Sequence, residues 1–576
     1  MTTRRWRLAA ALLLAWGLAA SAQQPAPLRA VWLHIRPDER TPQAADAVLG
    51  RCQAAHLNAV FLLVYYHGVA AYKSDLVPQE DFVQAGYDAL AEYVRAGHQR
   101  GMQVHAWFVN ADVEYAPADT VLKRHPDWAL RDSRGTPTDW LCFARPEVRQ
   151  YNADVMLEVA KKYQVDGIHF DYIRQPSPDY CYCDYCRKEL KTQSVDLDLF
   201  GGETLPAVLN VNANPVAEPT TPQVLATFGE TVSVRGEKYA PPPADQMPPA
   251  ITLNTCGQGH VLLYNWSAHQ NRARVLGETL KNFLSRYAPQ GPIRFLKSPA
   301  NEVQYGTTSL ETVRDHFAKL GLKGATLAAG QLAQAQPAGV VIVPAIYRWG
   351  PGDPEALRDF VKGGASAVVI DGPVFAMDNA AMQELLGMKR SGRYFTAEML
   401  LRAAPNQDLV PHSDQEPDVA RLREQRARWT EWRCNNVTEA VRLVRERQRK
   451  EVPKVQATAA VFSRVDSARE GVLQDWPRWV KEDLIDYALP MAYFEKTPDL
   501  KDALDEYDRV VGDWSRLVVG LSLYQNQKGA VPRDPALVVE QTNLSLARHP
   551  RGTCFFELHY LDDPIRDALL QGPFAR

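Results

Sequence analysis

The sequence lacks a strong excess of either charge, and this absence excludes a class of partner. Its 65 Lys and Arg residues nearly balance 68 Asp and Glu residues, which gives a formal net charge of −3 over 576 residues. A nucleic-acid-binding protein usually carries a basic surface, so nucleic acid is not an expected partner. With 46% hydrophobic and 23% charged residues, the composition is that of a folded globular protein.

Long apolar runs are also absent beyond the amino terminus. There, three arginines precede the apolar run Leu8–Ala20, and Ala20-Ser21-Ala22 has the small residues of a signal-peptidase site. The run is too short to span a membrane. The cleavage point has no cysteine, so a lipoprotein is not expected. We therefore predict that residues 1–22 are a signal peptide and that the mature protein is periplasmic or secreted, with no transmembrane anchor.

Strand-like and helix-like segments alternate near both ends of the chain. The strand-like segments are Ala30–Ile35, Ala59–Tyr66, Val104–Val109, Gly167–Ile173, Lys454–Phe462, Leu484–Tyr493, Leu517–Tyr524 and Thr553–Tyr560. Such alternation predicts βαβ units with a parallel sheet. Two groups of four strands add up to eight, so we predict an α/β protein with a (β/α)₈ TIM barrel formed by residues 28–192 and 411–570.

The segment between the two barrel halves, residues 193–410, has a character of its own. It opens with Thr204–Pro249, a stretch rich in Pro, Thr and Asn that predicts a linker or irregular strands. A strand–helix–strand set follows in Val340–Val343, Pro354–Lys362 and Ala367–Ile370. This pattern predicts a flavodoxin-like α/β domain inserted after the fourth barrel strand, and it resembles class I glutamine-amidotransferase-like domains.

Amidotransferases of that class need a nucleophilic cysteine at a strand-to-helix turn, and the chain has no cysteine between Cys256 and Cys434. We therefore expect the inserted domain to be separately folded and catalytically inert. Its expected roles are to shape the edge of a cleft or to join protomers into a homo-oligomer.

The segment Val165–Arg174 carries the most informative chemistry. Read as a strand, it turns His169 and Asp171 to one face and apolar side chains to the other. An apolar face towards helices and an ionisable face towards the interior fit a barrel strand, and catalytic residues of such barrels lie at the carboxyl ends of the strands. Asp171 is therefore the first catalytic candidate. The alternative is that it only forms an ion pair at the strand end.

Three segments of the chain resemble the signature of the glycosyl-hydrolase-like 10 family. They are Asp166–Arg174, His125-Pro126-Asp127-Trp128 and Gln474-Asp475-Trp476. The resemblance covers both barrel halves and implies a (β/α)₈-barrel glycoside hydrolase that cleaves O-glycosidic bonds of a polysaccharide or oligosaccharide, with Asp171 in the active site. Some relatives act on bacterial cell-wall glycan strands, so it also implies peptidoglycan as a substrate for an exported enzyme.

Two residues compete as the second carboxyl group that glycoside hydrolysis requires. If its neighbours Phe556 and Leu558 pack outward, Glu557 faces the barrel mouth. Asp475 lies beside Trp476, and an aspartate next to tryptophans suits a sugar site because aromatic faces stack on sugar rings. The alternative for Asp475 is a helix N-cap among core tryptophans.

Further polar and aromatic side chains are predicted to converge on the same strand ends and to bind substrate. They are His34, His105, Trp107, His169, Tyr172, Arg174, Trp476 and Tyr493. A single histidine in a strand is more often a core residue with its hydrogen bonds satisfied, but several on different strands indicate a binding cleft.

A dense group of cysteines follows the fourth predicted barrel strand. Cys181, Cys183 and Cys186 lie within six residues, and Cys142 lies upstream. Four thiolates would complete a tetrahedral zinc site, structural rather than catalytic because no position is left for water. The arrangement resembles the structural zinc site of family 42 β-galactosidases. Disulfides are the alternative, favoured by export and by the even count of eight cysteines. No organic cofactor is expected.

Two other functions stay open. A non-catalytic carbohydrate-binding barrel is one, because a fold alone proves no activity. A β-galactosidase-like exo-glycosidase is the other, since the cysteine group and the inserted domain both resemble those enzymes. They carry an Asn-Glu pair after the fourth strand, however, where this chain has Asp171-Tyr172.

Overall fold

The computed structural model describes residues 26–114, 120–133, 135–200, 207–234, 240–266, 274–288, 291–305, 308–370, 377–413, 415–526 and 530–575. The proposed signal peptide lies outside the described residues. Among the residues that are described, no helix has both the length and the apolar composition that crossing a membrane requires.

The first four long strands alternate with helices. The strands are β1 (Leu28–Leu33), β2 (Ala59–Tyr66), β3 (Gln103–Val109) and β4 (Gly167–Asp171). The helices of this region are Pro42–Ala54, Asp81–Gln84, Ala89–His98, Val121–Arg124, Pro146–Lys162 and Asp184–Thr192. All five residues of β4 are buried, as expected for a parallel strand covered on both faces. A short hairpin, Ala129–Arg131 with Pro137–Leu141, precedes the helix that leads into β4.

A second, nine-stranded sheet lies between β4 and the rest of the barrel in the sequence. Its strands are β5 (Val208–Pro219), β6 (Gln223–Val234), β7 (Pro249–Cys256), β8 (Gly259–Tyr264), β9 (Ile293–Lys297), β10 (Ala325–Ala328), β11 (Val340–Val343), β12 (Ser366–Ile370) and β13 (Met388–Ala403). Their order in the sheet is β10-β9-β11-β12-β8-β7-β6-β13-β5. The helices of this segment are Arg274–Tyr287, Pro299–Tyr305, Thr308–Lys319, Asp353–Lys362 and Ala380–Leu386.

This second sheet is parallel from β10 to β8 and antiparallel from β8 to β5. The parallel part contains the predicted strand–helix–strand set. The antiparallel part includes two 12-residue strands, β5 and β6, in the stretch that the sequence marks as a linker or irregular strands. The Pro, Thr and Asn content of this stretch gives it a weak local propensity for strands, which cross-strand pairing overrides.

The chain then returns to the barrel through the long helix Val419–Glu451. Four further strands follow: β14 (Gln456–Phe462), β15 (Tyr487–Met491), β16 (Val518–Ser522) and β17 (Gly552–Phe556). The helices of this region are Trp476–Lys481, Thr497–Val510, Pro535–Leu546 and Asp563–Gln571. The eight strands follow one another around the barrel in chain order, and β1 pairs with both β2 and β17, which closes it.

All eight predicted barrel strands are present, and the predicted TIM barrel is confirmed. Five of them end earlier than predicted, among them β4 and β17. β4 stops at Asp171 because Tyr172 has a φ of +50°, which a strand cannot continue through. β17 stops at Phe556, and Leu558–Tyr560 form a 3₁₀ turn.

A glycine makes room for the largest side chain of β1. Trp32 is only 1% exposed, and a Cβ atom on Gly520 of β16 would lie 2.9 Å from the Trp32 ring. Trp32 also contacts the rings of Phe61, Tyr493 and Phe556, with centroids 6.0 to 6.2 Å apart. Gly520 is therefore required by packing rather than by backbone conformation.

The long helix and the second sheet share a buried ion pair. Arg426 of the helix binds Glu398 of β13, and both side chains are buried. An apolar cluster that includes Trp429, Phe200 and Leu400 surrounds this region. A buried charge needs its partner to be tolerated, so the helix depends on β13 for its own stability.

The described residues divide into two compact units. One consists of Met1–Leu62, Arg95–His105 and Leu489–Arg576, and the other of Leu63–Val94 and Ala106–Ala488. Each unit holds one cluster of polar side chains at the ends of barrel strands.

Candidate active site

The carboxyl group of Asp171 is held in one orientation at the end of β4. It is 5% exposed. The indole Nε1–H of Trp107 donates to Oδ2 at 3.0 Å, and the backbone N–H of Tyr172 donates to Oδ1 at 2.7 Å. These two donors therefore fix the orientation of the carboxyl group.

Asn110, directly after β3, ties the backbone of β4 in place. Its backbone N–H donates to the carbonyl of Asp171 at 2.8 Å, and its side-chain Oδ1 accepts from the Asp171 N–H at 3.2 Å. The same side chain donates to Asn152 at 3.2 Å. This buried amide therefore fixes the strand end that presents Asp171.

Arg174 lies among aromatic rings near Asp171. Its guanidinium carbon is 4.3 Å from the ring centre of Tyr172, 5.1 Å from that of Trp140 and 5.0 Å from that of Phe462. Burial lowers the pKa of Arg174, while the charge of Asp171 acts in the opposite direction. A cation held over aromatic faces at a strand end is an arrangement that can bind polar ligands.

The structure adds a carboxyl group that the sequence reasoning missed. Asp112 is half-buried and follows β3, and its Oδ1 accepts the backbone N–H of Glu114 at 2.9 Å. Burial raises the pKa of Asp112. The signal was available: Asp112 follows a buried strand, which ends at Val109, but no motif marks it.

An exposed aromatic ring lies in the same unit. Tyr66, the last residue of β2, is 41% exposed, and its ring centre is 3.5 Å from that of His67. Burial of its hydroxyl raises the pKa of Tyr66, and the charges of Asp112 and Asp171 act in the same direction. An accessible ring near carboxyl groups can stack on a sugar.

The second polar cluster surrounds Glu557, which follows β17 and is 7% exposed. Its Oε2 lies 2.8 Å from Nδ1 of His559 and 3.5 Å from Nδ1 of His34, and Arg36 approaches its Oε1 at 3.8 Å. The other ring nitrogen of His559 lies 2.9 Å from Glu39. His559 therefore lies between two carboxylates.

This network keeps Glu557 and His559 charged. Burial opposes ionisation of Glu557, but the hydrogen bonds with His34 and His559 outweigh it and lower the pKa of Glu557 to about 2. Burial also opposes protonation of His559, but Glu39 and Glu557 raise its pKa to about 9. A carboxyl group with so low a pKa cannot serve as a general acid at neutral pH, although it can act as a base or nucleophile.

Two predicted binding histidines belong to the barrel interior. His105 and His169 are both 0% exposed. The His105 ring lies 4.7 Å from the ring of Phe61, and His169 Nδ1 is 2.9 Å from Oγ1 of Thr458. Direct contact between either histidine and a substrate would require these side chains to move.

Two other predicted binding residues lie closer to the surface. His34 has a side chain that is 40% exposed. Tyr493 is half-buried, and its ring stacks on that of Phe556 at 5.3 Å. Both therefore accompany the Glu557 cluster, whereas Trp107, Tyr172 and Arg174 accompany Asp171.

Asp475 and its tryptophans occupy a different environment from the one the sequence suggested. Trp476 and Trp479 are 0% exposed, and Trp479 donates to Thr438 of the long helix at 2.9 Å. Burial raises the pKa of Asp475, and Arg469 lowers it. Its carboxylate makes no N-cap hydrogen bond. The tryptophans are core residues, because neither has an exposed face on which a sugar could stack.

The four cysteines singled out in the sequence come together. The sulfur atoms of Cys142, Cys181, Cys183 and Cys186 are buried and lie within 4.8 Å of one another. Cys142 Sγ and Cys186 Sγ are 3.5 Å apart, far beyond the roughly 2.05 Å of a disulfide. All eight cysteines are free thiols. The structure thus offers a four-sulfur cluster that could bind a metal.

Curated relatives match part of the chain. Glycosyl hydrolase DigH from Escherichia coli (strain K12) is 28% identical over 201 residues, which cover 28% of this chain and 45% of that protein. Glycosyl hydrolase YngK from Bacillus subtilis (strain 168) is 26% identical over 176 residues, which cover 26% of this chain and 34% of that protein. The chain therefore spans less than half the length of these curated relatives.

Solved glycosidase structures are similar over most of the chain at low identity. The glycoside hydrolase domain of PgaB (BpsB) from Bordetella bronchiseptica has a TM-score of 0.41 and 10% identity, and covers 95% of this chain and 99% of that chain. Gan42B, a GH42 β-galactosidase from G. stearothermophilus, has a TM-score of 0.42 and 11% identity, and covers 93% and 51%.

A family match confirms the resemblance noted in the sequence. Residues 27–194 and 344–528 match the family described as glycosyl hydrolase-like 10. The match includes β1 to β4 and Asp171, as well as β14 to β16 and Asp475, and it covers more than half of the chain. The chain therefore belongs to the glycosyl hydrolase-like 10 family.

Proposed function

We propose that this protein is a glycoside hydrolase that cleaves O-glycosidic bonds of a polysaccharide, with Asp171 as an ionised catalytic carboxylate. One observation carries the proposal: Asp171 ends a barrel strand and receives hydrogen bonds from Trp107 and from the backbone of Tyr172. Chemistry in such barrels takes place at the carboxyl ends of the strands. A carboxylate held by fixed donors is prepared to stabilise positive charge at the anomeric carbon.

We propose Glu557 as a further carboxylate of the reaction. Its low pKa keeps it ionised at neutral pH, which suits a base, a nucleophile or a stabiliser of an oxocarbenium-like transition state. His34 and Arg36 lie beside it with partly exposed side chains, and we assign them to substrate binding. Asp475 is the less favoured alternative, because its neighbouring tryptophans have no exposed face.

We propose the glycan strands of peptidoglycan as the substrate and the periplasm or the exterior of the cell as the location. The support is the predicted signal peptide, with the apolar run Leu8–Ala20 after three arginines. An exported hydrolase of a bacterium meets this polymer first.

The decisive experiment digests purified peptidoglycan sacculi and measures new reducing ends. We expect Asp171→Asn to lower the rate by about a thousandfold or more, roughly 4 kcal/mol in the barrier, with an unchanged melting temperature. Asp166→Asn makes the same swap at the amino end of β4 and is the matched control. Activity of Asp171→Asn within about tenfold of wild type would exclude Asp171 as a catalytic carboxylate. Binding to sacculi without any release of reducing ends would identify a carbohydrate-binding barrel instead.

We also propose that the four-cysteine cluster holds a structural zinc ion. A tetrahedral site with zinc–sulfur bonds of about 2.3 Å places its sulfur atoms about 3.8 Å apart. The four sulfur atoms here lie within 4.8 Å of one another, and those of Cys142 and Cys186 are 3.5 Å apart. The backbone N–H groups of Arg131 and Cys183 both donate to Cys181 Sγ at 3.3 Å, as ligating sulfurs accept from their surroundings. Four protein ligands leave no position for water, so the ion would stabilise the loops after β4 rather than take part in the reaction.

For residues 193–410 we propose an inserted α/β domain without amidotransferase activity. The sheet from β5 to β13 has apolar clusters on its two faces, which is enough to form a core of its own. Joining protomers, or shaping the edge of a cleft, is the role that we assign to it.

A further inference from the structure

We propose that Asp112 is the general acid of the reaction, the group that protonates the glycosidic oxygen beside Asp171. This inference rests on the proposed glycoside hydrolase function and adds a residue that no motif of the sequence identified.

The backbone ties Asp112 to the end of β4. Asn110, two residues before Asp112, hydrogen-bonds to both the N–H and the carbonyl of Asp171. Asp112 itself forms a β-bridge with Trp140, and the Trp140 ring lies 5.5 Å from the ring of Tyr172. Asp112 and Asp171 are therefore connected through two separate short paths, one along the backbone and one through the neighbouring rings of Trp140 and Tyr172.

The two carboxyl groups also act on the same side chains. The charges of Asp112 and Asp171 both influence Arg174, Tyr172 and Tyr66. Arg174 is thus a shared cation for two carboxyl groups, and the exposed ring of Tyr66 marks the side from which a ligand can approach. A pair of carboxyl groups served by one arginine and aromatic rings is the composition of a glycosidase site.

The surroundings of the two carboxyl groups differ in the way that an acid and a base require. Asp171 accepts hydrogen bonds from an indole and a backbone N–H, whereas Asp112 accepts a single backbone N–H. Burial raises the pKa of Asp112, and the neighbouring charge of Glu114 raises it further. The Glu114 N–H, His67 and Arg174 act in the opposite direction, and Asp139 on the adjacent strand is exposed. A carboxyl group whose pKa is raised by its surroundings is suited to act as the acid.

Proton transfer from Asp112 accompanies cleavage of the glycosidic bond. The O–H bond of Asp112 breaks, its proton goes to the glycosidic oxygen, and the electron pair of the bond between that oxygen and the anomeric carbon moves to the oxygen. The leaving sugar departs as an alcohol, and Asp112 is left as a carboxylate. One water molecule is consumed: its hydroxyl ends on the anomeric carbon, and its remaining proton restores the enzyme.

A first test measures protonation directly on the full chain. Infrared difference spectra between wild type and Asp112→Asn, with ¹³C-labelled aspartate carboxyl groups, report whether Asp112 is protonated at each pH. We expect its carboxyl signal to disappear at a higher pH than that of an ordinary aspartate, which titrates near about 3.9. Titration at or below the ordinary value would overturn the assignment, whether or not the protein is a hydrolase.

A second test separates the acid from the other catalytic groups by the leaving group. On sacculi we expect Asp112→Asn to lower kcat/KM at least about 100-fold and to remove the alkaline limb of the pH profile. On the 2,4-dinitrophenyl glycoside of the sugar that becomes the new reducing end, the loss should stay within about tenfold, since this leaving group needs no proton. Asp139→Asn is the matched control on the neighbouring strand.

The outcomes of the second test distinguish the role of Asp112 from the proposed hydrolase function. Asp171→Asn should lose activity on both substrates, whereas Asp112→Asn should lose it on sacculi only. Equal losses of Asp112→Asn on both substrates, or none on either, would overturn the role of Asp112 and leave the hydrolase function intact. A wild-type protein that cleaves neither substrate would overturn both.

Discussion

Asp171 and Glu557 both follow a strand of the barrel, yet the groups around them differ in kind. Asp171 accepts from an indole N–H and a backbone N–H, neither of which titrates near neutral pH. Glu557 instead contacts His34 and His559, and His559 is shared with Glu39. The two donors that hold Asp171 therefore keep their charge over the physiological pH range, while the surroundings of Glu557 change charge when His559 does.

The difference indicates separate tasks. A carboxylate with fixed, neutral donors keeps its geometry through a reaction in which protons move, whereas a carboxylate in a chain of ionised groups can pass a change of charge along it. Four changes test this comparison, from the largest expected effect to the smallest.

The largest effect should come from the cysteine cluster, which follows β4 and therefore belongs to the Asp171 side. We expect the purified protein to contain about one zinc per chain, and its removal by a chelator to lower the free energy of unfolding by at least about 3 kcal/mol. Cys186→Ser should have the same effect, and elemental analysis with chemical denaturation measures both.

The control for this change is Cys52→Ser, which makes the same swap at a buried cysteine in another helix. If the metal-free protein is as stable as the untreated protein, the proposed structural zinc site is wrong. If zinc removal disturbs the Glu557 cluster more than it disturbs Asp171, the cysteine cluster does not belong to the Asp171 side.

Replacing Glu557 by Gln should come next. The swap removes the negative charge that His34 and His559 surround, so we expect kcat/KM to fall about 100- to 1,000-fold, roughly 3 to 4 kcal/mol. Glu39→Gln changes the other carboxylate at His559 and should cost only about tenfold. Equal losses for the two variants would mean that Glu557 acts only through His559.

Trp107→Phe should have a smaller effect, because it removes one hydrogen-bond donor to Asp171 and keeps an aromatic ring. We expect kcat to fall about 10- to 100-fold, roughly 1.4 to 2.7 kcal/mol, with little change in KM. Trp140→Phe, which makes the same swap on the hairpin beside Tyr172, is the control. A rise in KM at constant kcat would show that Trp107 binds substrate instead of orienting Asp171.

The smallest effect is on the pH dependence of stability. The pKa of His559 rises from 6.5 to about 9 on folding, so its contribution is complete below pH 6.5 and is lost as the pH rises through about 9. We expect the free energy of unfolding to fall by about 1 to 3 kcal/mol over this window, measured by denaturation at a series of pH values.

His559→Gln should flatten that dependence, and His98→Gln, at an exposed helix position, should not. At the acidic end the sign reverses: the pKa of Glu557 falls from 4.5 to about 2, so its contribution is complete above pH 4.5 and is lost as the pH falls through about 2. A wild-type stability that stays constant between pH 6.5 and 9 would contradict the charged state of His559.

The barrel could be predicted from the sequence because its strands are continuous apolar runs bounded by turns, and the alternation with helices gives their number. Asp171 could be predicted for the same reason, since its position relative to β4 is local. The partners of Glu557 could not: the His559 ring meets Glu39 across 520 residues of sequence, a distance over which no local pattern carries information.

Other residues show where local patterns mislead. An aspartate beside tryptophans is typical of a sugar site, but the same sequence pattern also occurs where a helix begins against the core. Trp476 is a core residue of this second kind. Asp112 went unnoticed for the opposite reason, because it has no aromatic or motif neighbour in sequence and acquires Trp140 and Arg174 only through folding.

The ion pair between Arg426 and Glu398 has a consequence for how such proteins can be recombined. A barrel grafted onto a different insertion would inherit an arginine whose counter-charge was left behind in β13, and an uncompensated buried charge costs several kcal/mol. The long helix and β13 should therefore be transferred together. A functional chimaera must carry both Arg426 and Glu398, or replace Arg426 with an apolar side chain of similar volume. The boundary suitable for cutting the chain lies after the helix, not at the edge of the sheet.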